Sequence, residues 1–392
     1  MDFALTEEQE MIARSAADIG RDFPPAYWRE KDDKEEFGEE FWRAISTAGF
    51  TGLLIPEEHG GAGKGMTELL IVMEELAAAG AGMAGAWYLI LTEVLGAVGI
   101  MRHGTDAQKR KYLPGIASGD TEFCLGLTEP DAGSNTLNTR TRAVRTERGW
   151  VVNGSKVLIS GADRAKGMLL VARTTPRGEA GGRTLGLSLF LVDLPNSAVT
   201  VTPIPKHGIN YSHSCEVGIN DLMLPEEALV PQMDRGWYSL LDTLNAERMS
   251  FTAAAVGVAR LGMGKAIEYS RERKVFGDVP IGAHQGLQFH LAEAYAALEA
   301  AKVLNFKAAA AYDAGAEERV VGTYANMAKV VAVENAVKAV YWSMQMFGGY
   351  GYARDYDVER WWREINLIRL APVTQQMALR YIGEHVLGMP RS

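Results

Sequence analysis

The hydrophobic pattern of this chain changes twice, from helical spacing to short β-rich runs and back to helical spacing. From Thr6 to about Leu113 apolar residues recur with the period of a helix, after a capping-box start at Thr6-x-x-Gln9. Short β-rich runs follow, and long helical patterns return from Trp237. With 392 residues, the chain exceeds the length that one compact core usually supports. The sequence therefore predicts a mainly α-helical fold with a middle β domain, divided into residues 1–121, 122–228 and 229–392.

Local signals refine this pattern. Pro24-Pro25 breaks the first helical segment, and Asn153-Gly154 lies between two β-rich runs, which predicts a hairpin turn there. Further β-rich runs lie at 168–172 and 188–193. In the last third, an apolar stripe predicts a helix that contains Leu287, Leu291, Tyr295 and Leu298. A Gly/Tyr-rich stretch at residues 347–352 predicts the end of another helix.

Charge and cysteine usage exclude several classes of protein. A net charge of −9 argues against a nucleic-acid surface. Cys124 and Cys215 lie far apart without a CxxC spacing, which is typical of buried thiols in a reducing cytoplasm. The histidines show no paired ligand spacing, so no metal site is expected. The first residues lack the regions of a signal peptide, and no uninterrupted apolar run is long enough to span a bilayer. We therefore expect a cytoplasmic protein.

Segment 125–135 (LGLTEPDAGSN) concentrates small residues, hydroxyl groups and free backbone N–H groups. Such a loop can hold a phosphate or a carbonyl-rich ring. By composition alone, an ordinary turn is the better explanation, because Gly, Ser, Asn and Pro favour loops for conformational reasons. The interpretation of this segment therefore depends on motifs elsewhere in the chain.

Four further motifs accompany this segment in a fixed order: PEEHGG at 56–61, NGxK at 153–156, RxxFG at 273–277 and QxFGGxGY at 345–352. With the TEPxAGS segment at 128–134 they extend over the whole chain, which resembles the acyl-CoA dehydrogenase family. The resemblance implies an N-terminal helical domain, a β-barrel-like middle domain and a C-terminal four-helix bundle. It also implies FAD as cofactor, bound between the middle domain and the bundle.

The same resemblance implies the residues that would hold FAD. The flavin end would lie against Leu125, Leu127, Thr128, Gly133, Ser134, Leu158, Ser160, Thr374 and Gln376. The adenine and pyrophosphate end would be held, partly by a neighbouring subunit, by Arg273, Phe276, Gln285, Gln345, Gly348 and Gly349. Arg273 suits a diphosphate because its planar, charged fork gives directed hydrogen bonds, although an isolated arginine is more often in a surface salt bridge. A shared site implies a homo-oligomer, usually a tetramer built as a dimer of dimers.

Glu247 and Arg248 lie near the predicted start of a helix, where a carboxylate commonly does no more than offset the helix dipole. In the family, Glu247 matches the position from which some members, including isovaleryl-CoA and long-chain dehydrogenases, project the catalytic base. Most other members carry the base in a C-terminal IYEGT segment, and Pro372 stands at that glutamate position here. The resemblance therefore implies Glu247 as the base and puts Ser134, Leu244, Arg248 and Pro372 at substrate-binding positions.

The expected reaction is the α,β-dehydrogenation of an acyl-CoA thioester. Glu247 would remove the α-proton, the β-hydride would pass to flavin N5, and an electron-transfer flavoprotein would accept the electrons. Pro372 lacks the backbone N–H that the family offers to the thioester carbonyl. Losing such a donor in other enzymes costs about 2.7–4 kcal/mol.

Pro372 therefore leaves other functions open. These are enoyl-CoA reduction and β-elimination on a CoA thioester. A rival of another class, against which Glu247 argues, is a non-catalytic flavin-binding subunit of a mixed oligomer. The sequence does not give the length, branching or ring structure of the acyl group, because the pocket floor falls in a poorly matched region around Trp87 and Tyr88. Glu93, in that region, is explained equally well as a cavity residue or as a charge on a helix surface.

Overall fold

The N-terminal part of the chain is helical, as the sequence predicts. The computed structural model describes residues 4–391. Thr6 caps the first helix and Gln9 completes the capping box, and that helix ends just before Pro24-Pro25. The helices are α1 (Glu7–Asp22), α2 (Pro25–Lys34), α3 (Glu39–Thr47), α4 (Met66–Leu76), α5 (Ala84–Leu89), α6 (Val98–His103) and α7 (Asp106–Ala117).

A π-helical stretch, Ile90–Ala97, joins α5 to α6. The whole stretch Ala84–His103 is long and apolar enough to cross a membrane by length and composition, although its apolar residues are interrupted by Glu93 and Arg102. Within the fold, 94% of its apolar window is buried by protein. Core helices of this kind pass the same test, so the stretch is weak evidence for a membrane span.

The middle part of the chain forms a single curled sheet. Its neighbour order is β1-β4-β2-β3-β7-β6, with β5 paired to β4. Strands β3, β4 and β5 match β-rich runs predicted from the sequence, and the other strands were not predicted individually. The strands are β1 (Phe123–Gly126), β2 (Arg142–Thr146), β3 (Gly149–Ser160), β4 (Gly167–Arg173), β5 (Leu187–Asp193), β6 (Val199–Ile204) and β7 (Ser214–Leu224).

The predicted hairpin at Asn153-Gly154 is wrong, because β3 runs through this dipeptide as one strand. The turn lies instead between β2 and β3, where Thr146 pairs with Gly149. Gly154 occupies an irregularity in the pairing of β3 with β7, and a Cβ at this position would lie 2.5 Å from the Thr141 side chain. Glycine here permits a close approach of two segments and does not make a turn.

The C-terminal part is a helical bundle in which α10 packs against α8, α9 and the short α13. The predicted end of a helix near Phe347 is confirmed. On the predicted stripe of α9, Leu291 and Leu298 are buried, but Tyr295 is 52% exposed and was wrongly assigned to it. The helices are α8 (Gly236–Glu272), α9 (Gln285–Asp313), α10 (Glu318–Phe347), α11 (Val358–Ile365), α12 (Leu367–Leu370) and α13 (Gln375–Tyr381).

Two hydrophobic cores hold these parts together. The N-terminal and C-terminal helices share one core, which fixes α8 against α4 and α5. The sheet has its own core, and it contains Cys124 and Cys215 as free, buried thiols, as predicted. The boundaries placed at 121/122 and 228/229 fall in the segments that link α7 to β1 and β7 to α8, and their exact positions stay a prediction.

Candidate active site

Glu247 lies well inside α8, as the twelfth residue of that helix. Because the helix dipole acts within the first turn, it does not account for this carboxylate. Glu247 is only 8% exposed, and its carboxylate has no hydrogen-bond partner within residues 4–391. Leu244, one turn earlier on the helix, is buried beside it.

The surroundings of Glu247 give it the proton affinity of a general base. Burial raises the pKa of its carboxyl to about 8, although the positive charges of Arg248 and Lys329 oppose the rise. A base works best when its pKa is close to the working pH, because it then combines an ionised population with a useful affinity for the proton. Glu247 is therefore suited to accept a proton near neutral pH.

Glu247→Gln is expected to stabilise the fold at alkaline pH. An unfolded glutamate ionises near pH 4.5, whereas Glu247 in the fold keeps its proton up to about pH 8. The free energy of folding that the raised pKa of Glu247 contributes is therefore fully present below pH 4.5 and is lost as the pH rises to about 8. At pH 8 the variant should be more stable by at least about 2 kcal/mol, since one pKa unit corresponds to about 1.4 kcal/mol. Urea unfolding between pH 4 and 9 measures the difference, and parallel curves for the two proteins would contradict it.

Lys329 on α10 fastens the segment that contains Pro372. Its side chain is fully buried, and its Nζ donates to the carbonyl oxygens of Ile368 at 3.0 Å and Val373 at 2.6 Å. Gln375 adds a second attachment, because its Nε2 donates to the carbonyl of Val330 at 3.2 Å. Pro372 therefore lies in a segment that is held against α10, next to the helix that contains Glu247. Lys329 was not among the site residues predicted from the sequence.

Two further residues predicted to contact the flavin, Thr374 and Gln376, follow shortly after Pro372. The Thr374 hydroxyl accepts a hydrogen bond from the backbone N–H of Met377 at 3.2 Å and so caps α13. Gln376 is exposed in the first turn of the same helix. The attachment at Lys329 therefore also sets where both side chains lie.

Arg248 offers an unused hydrogen-bond donor in the same region. Its Nη1 donates to Oδ1 of Asn245 at 2.6 Å, and Asn245 in turn donates to the carbonyl of Glu318. Its Nε is buried and has no partner in the described part of the chain. An acceptor atom on a bound ligand would satisfy this N–H, which fits the substrate-binding position expected for Arg248.

A second group of predicted residues lies on the sheet. The backbone N–H of Val157 donates to the carbonyl of Thr128 at 2.9 Å, which brings the segment after β1 next to Leu158 and Ser160 at the end of β3. Leu158 has a φ of 60° and is 61% exposed, so its side chain forms an open apolar surface at this edge. The predicted flavin contacts Leu125, Leu127, Thr128, Leu158 and Ser160 are therefore brought together.

The loop after β1 also presents polar groups and free space. Over residues 4–391, the hydroxyls of Thr128, Ser134 and Ser160 have no hydrogen-bond partner. A Cβ added at Gly133 would meet no atom of the described residues within 4 Å. Unused hydroxyls beside an apolar surface suit a flat ring with polar edges.

A buried ion pair sets the position of this loop. Lys156 Nζ lies 2.8 Å from Oε1 of Glu129 and also donates to the carbonyl of Leu127 at 3.1 Å. The Glu129 carboxylate accepts the backbone N–H groups of Arg140 at 2.7 Å and Thr141 at 2.9 Å. Burial lowers the pKa of Lys156 to about 8, although Glu129 opposes the change. Lys156, in the middle of β3, thus holds both ends of the 127–141 loop.

The remaining predicted cofactor residues form a separate group. Arg273, Phe276 and Gln285 follow the end of α8, and Gln345, Gly348 and Gly349 surround the end of α10, where Tyr269 stacks on Phe347 with 4.3 Å between ring centroids. At roughly 1.5 Å per residue, Arg273 lies about 40 Å along the helix from Glu247. One chain therefore does not bring this group to its own Glu247.

This separate group is open to a ligand. Phe276 is completely exposed, and the Arg273 guanidinium has no ion-pair partner among the described residues, so the surface salt bridge considered from sequence is not formed. A Cβ added at Gly348 or Gly349 would likewise lie more than 4 Å from the atoms that the structure describes around it.

Family models match almost the whole chain. They describe the N-terminal, middle and C-terminal domains of acyl-CoA dehydrogenases, over residues 6–120, 124–222 and 234–387. The chain belongs to the acyl-CoA dehydrogenase family. The fold and the class of oxidoreductase acting on CH–CH donors, both expected from the sequence motifs, are confirmed by this membership.

Individual members of the acyl-CoA dehydrogenase family resemble the chain over its full length. Acyl-CoA dehydrogenase FadE12 of Mycobacterium tuberculosis is 37% identical over 390 residues, which cover 100% of this chain and 98% of that protein. A 3-(aryl)acrylate reductase of Clostridium sporogenes is 30% identical, with 98% and 99% covered. The solved butyryl-CoA dehydrogenase of Megasphaera elsdenii is 30% identical, with a TM-score of 0.92 and coverage of 99% and 100%. Relatives therefore include both dehydrogenases and a reductase.

Of the two explanations considered for Glu93 from the sequence, the charge on a helix surface is wrong, and the cavity residue stays a prediction. Glu93 is fully buried, and its Oε1 accepts the backbone N–H of Leu54 at 2.5 Å, so it is not a charge on a helix surface. Burial raises the pKa of its carboxyl to about 8. Glu93 thus ties the π-helical stretch Ile90–Ala97 to the segment after α3, and we assign it no role in the reaction.

Proposed function

We propose that this chain is an FAD-dependent acyl-CoA dehydrogenase in which Glu247 removes the proton α to the thioester carbonyl. The observation that carries the proposal is the buried carboxylate of Glu247 on α8, which has no hydrogen-bond partner among residues 4–391 and a pKa raised to about 8. Pro372 stands at the alternative base position. If the catalytic base changed position within the family, a member would keep a carboxylate at only one of the two positions, as this chain does.

The residues of this chain would bind FAD and control a proton. FAD, when bound, accepts the β-hydrogen of the substrate as a hydride at N5. Thr128, Leu158 and Ser160 would hold the ring. Glu247 takes the α-proton, the C–H electron pair forms the new double bond, and the β-hydride leaves with its own pair. The product is an enoyl-CoA, and Glu247 becomes neutral, the form that its burial favours.

The complete site would need a second copy of the chain. Arg273 and its neighbours lie about 40 Å along α8 from Glu247, at roughly 1.5 Å per residue, so they would bind the diphosphate and adenine of the FAD held by another subunit. We therefore propose a homo-oligomer, a tetramer by family resemblance, located in the cytoplasm. Its electron acceptor would be an electron-transfer flavoprotein.

Reduction of an activated enoyl-CoA is the second candidate. The observations that favour it are the C. sporogenes reductase among the relatives and the missing N–H donor at Pro372, because a different reaction can need less activation of the carbonyl. The same flavin and pocket would serve both directions, with Glu247 delivering the α-proton in place of removing it.

Anaerobic mixing with a panel of saturated and unsaturated acyl-CoA thioesters tests the proposal. A dehydrogenase loses its oxidised-flavin absorbance with a saturated substrate and no added reductant. A reductase leaves the flavin oxidised with saturated thioesters and reoxidises chemically reduced flavin with an enoyl-CoA. A purified chain that forms no homo-oligomer and shows neither response would support a non-catalytic subunit instead.

Pro372→Ala is expected to strengthen the binding of a thioester enolate analogue, because it restores a backbone N–H near the carbonyl. One such donor in other enzymes is worth about 2.7–4 kcal/mol, so a gain of at least tenfold in affinity is expected. Titration of the flavin spectrum with the analogue measures it. Val373→Ala is the matched control, since position 373 keeps its N–H in both proteins. Equal affinity of Pro372→Ala and the wild type would mean that another group already supplies the donor.

A further inference from the structure

Lys329 is a buried cation on α10 that contacts the segment containing Pro372. An ammonium has three N–H donors. Two of them go to the carbonyls of Ile368 and Val373, on the two sides of Pro372, and Lys329 itself is 0% exposed. Both partners are neutral, so no contact in the described residues directly neutralises this charge.

Burial of this cation lowers the stability of the fold, because a charge without a direct counter-charge loses its hydration there. Burial lowers the pKa of Lys329 to about 8, and Arg248 lowers it further, while Glu247 and Glu334 oppose the change. At pH 7 the side chain is therefore still largely protonated. A neutral donor would satisfy the same carbonyls at lower cost, so the charge itself calls for an explanation.

The charges around Glu247 provide one. Arg248 follows Glu247 on α8, and Lys329 lies on α10, which packs against α8. The positive charges of both favour the ionised form of the Glu247 carboxylate. When a proton moves from substrate to Glu247, the carboxylate becomes neutral and the negative charge passes to the thioester carbonyl. Both cations then act on that new charge, in a region where Pro372 offers no N–H.

On the basis of the proposed function, we propose that Lys329 is a positioning residue of this site. It fixes the Pro372 segment against α10, and its charge favours ionised Glu247 and the negative charge that develops on the thioester carbonyl. In effect it compensates for the donor that is missing at Pro372.

Lys329→Gln and Lys329→Met test the role of the charge. Gln keeps an N–H donor without the charge, and Met removes both. The pH profile of the rate of anaerobic flavin reduction has its midpoint where the rate is half-maximal. This midpoint is expected about one pH unit higher in both variants, because Glu247 ionises less readily. At pH 7 this is a loss of about tenfold, since one pKa unit changes the ionised fraction tenfold well below the midpoint.

A second readout does not use turnover. The difference in unfolding free energy between Glu247→Gln and its parent, followed against pH, reports the titration of Glu247. The midpoint of this titration should move to higher pH in the Lys329→Gln background. This readout still tests Lys329 if no acyl-CoA reduces the wild-type flavin, a result that would count against the proposed function alone.

Lys338→Gln is the matched control, because it makes the same change on α10 in an exposed ion pair with Glu293. It should leave both midpoints in place. If Lys329→Gln lowers the melting temperature but leaves both midpoints unchanged, the charge has no role and the proposal is overturned. If Lys329→Met does not fold, the Gln variant decides by the same two midpoints.

Discussion

Glu247→Gln is expected to retain FAD and to lose flavin reduction by the acyl-CoA substrate. The amide has nearly the shape of the carboxylate, so packing inside α8 should be preserved, but the amide does not accept the α-proton. Removing a general base typically costs a factor of about 10²–10⁴ in rate. Stopped-flow measurement of anaerobic flavin bleaching, with FAD content checked from the absorbance spectrum, gives the result.

Glu268→Gln is the matched control for this variant. Glu268 lies on the same helix, is exposed and forms a surface ion pair with Lys265 at 3.1 Å. This variant should bleach at the wild-type rate. Bleaching of Glu247→Gln at an undiminished rate would show that another group removes the proton.

Lys156→Met is expected to lower the unfolding free energy by about 3–5 kcal/mol, the usual effect of removing one partner of a buried ion pair. The Glu129 carboxylate would stay buried without its counter-charge, although it would still accept the backbone N–H groups of Arg140 and Thr141. Because the ammonium also holds the carbonyl of Leu127, the 127–141 loop should loosen and FAD should bind more weakly. Urea unfolding and the FAD content of the purified protein measure the two effects.

Lys265→Met makes the same substitution in the exposed pair with Glu268, and it should cost less than about 1 kcal/mol. A Lys156→Met protein with wild-type stability and full FAD content would mean that the loop keeps its position without the ion pair. The 127–141 loop would then owe its conformation to the Glu129 hydrogen bonds from Arg140 and Thr141.

The order of the three parts was predictable, because helical and strand periodicities differ along the chain. The details of the sheet were not. Asn153-Gly154 has the composition of a tight turn, yet a neighbouring segment at Thr141 requires glycine there. Tyr295 fits an apolar stripe by spacing but is exposed, since amphipathic spacing does not tell which edge of a stripe meets the core.

The candidate base was found from motifs, whereas the groups that support it were not. Lys329 lies on a stripe of α10 whose other members, Ala325, Ala332 and Ala336, are all buried, and a charge on such a stripe is the signal that could have found it. Lys156 falls on the inward side of β3 two residues after Gly154, where a lysine is equally unexpected. Their partners are carbonyls and a carboxylate distant in sequence, so spacing alone does not reveal them.

The most direct test of Glu247 as the base is exchange of the substrate α-proton with solvent. A 3-thiaacyl-CoA has no β-hydrogen to transfer, so the flavin stays oxidised and only proton removal is observed. In D₂O the wild type should incorporate deuterium at the α-carbon, and Glu247→Gln should do so about 10²–10⁴ times more slowly. Exchange in Glu247→Gln at the wild-type rate would contradict the assignment of Glu247 as the catalytic base.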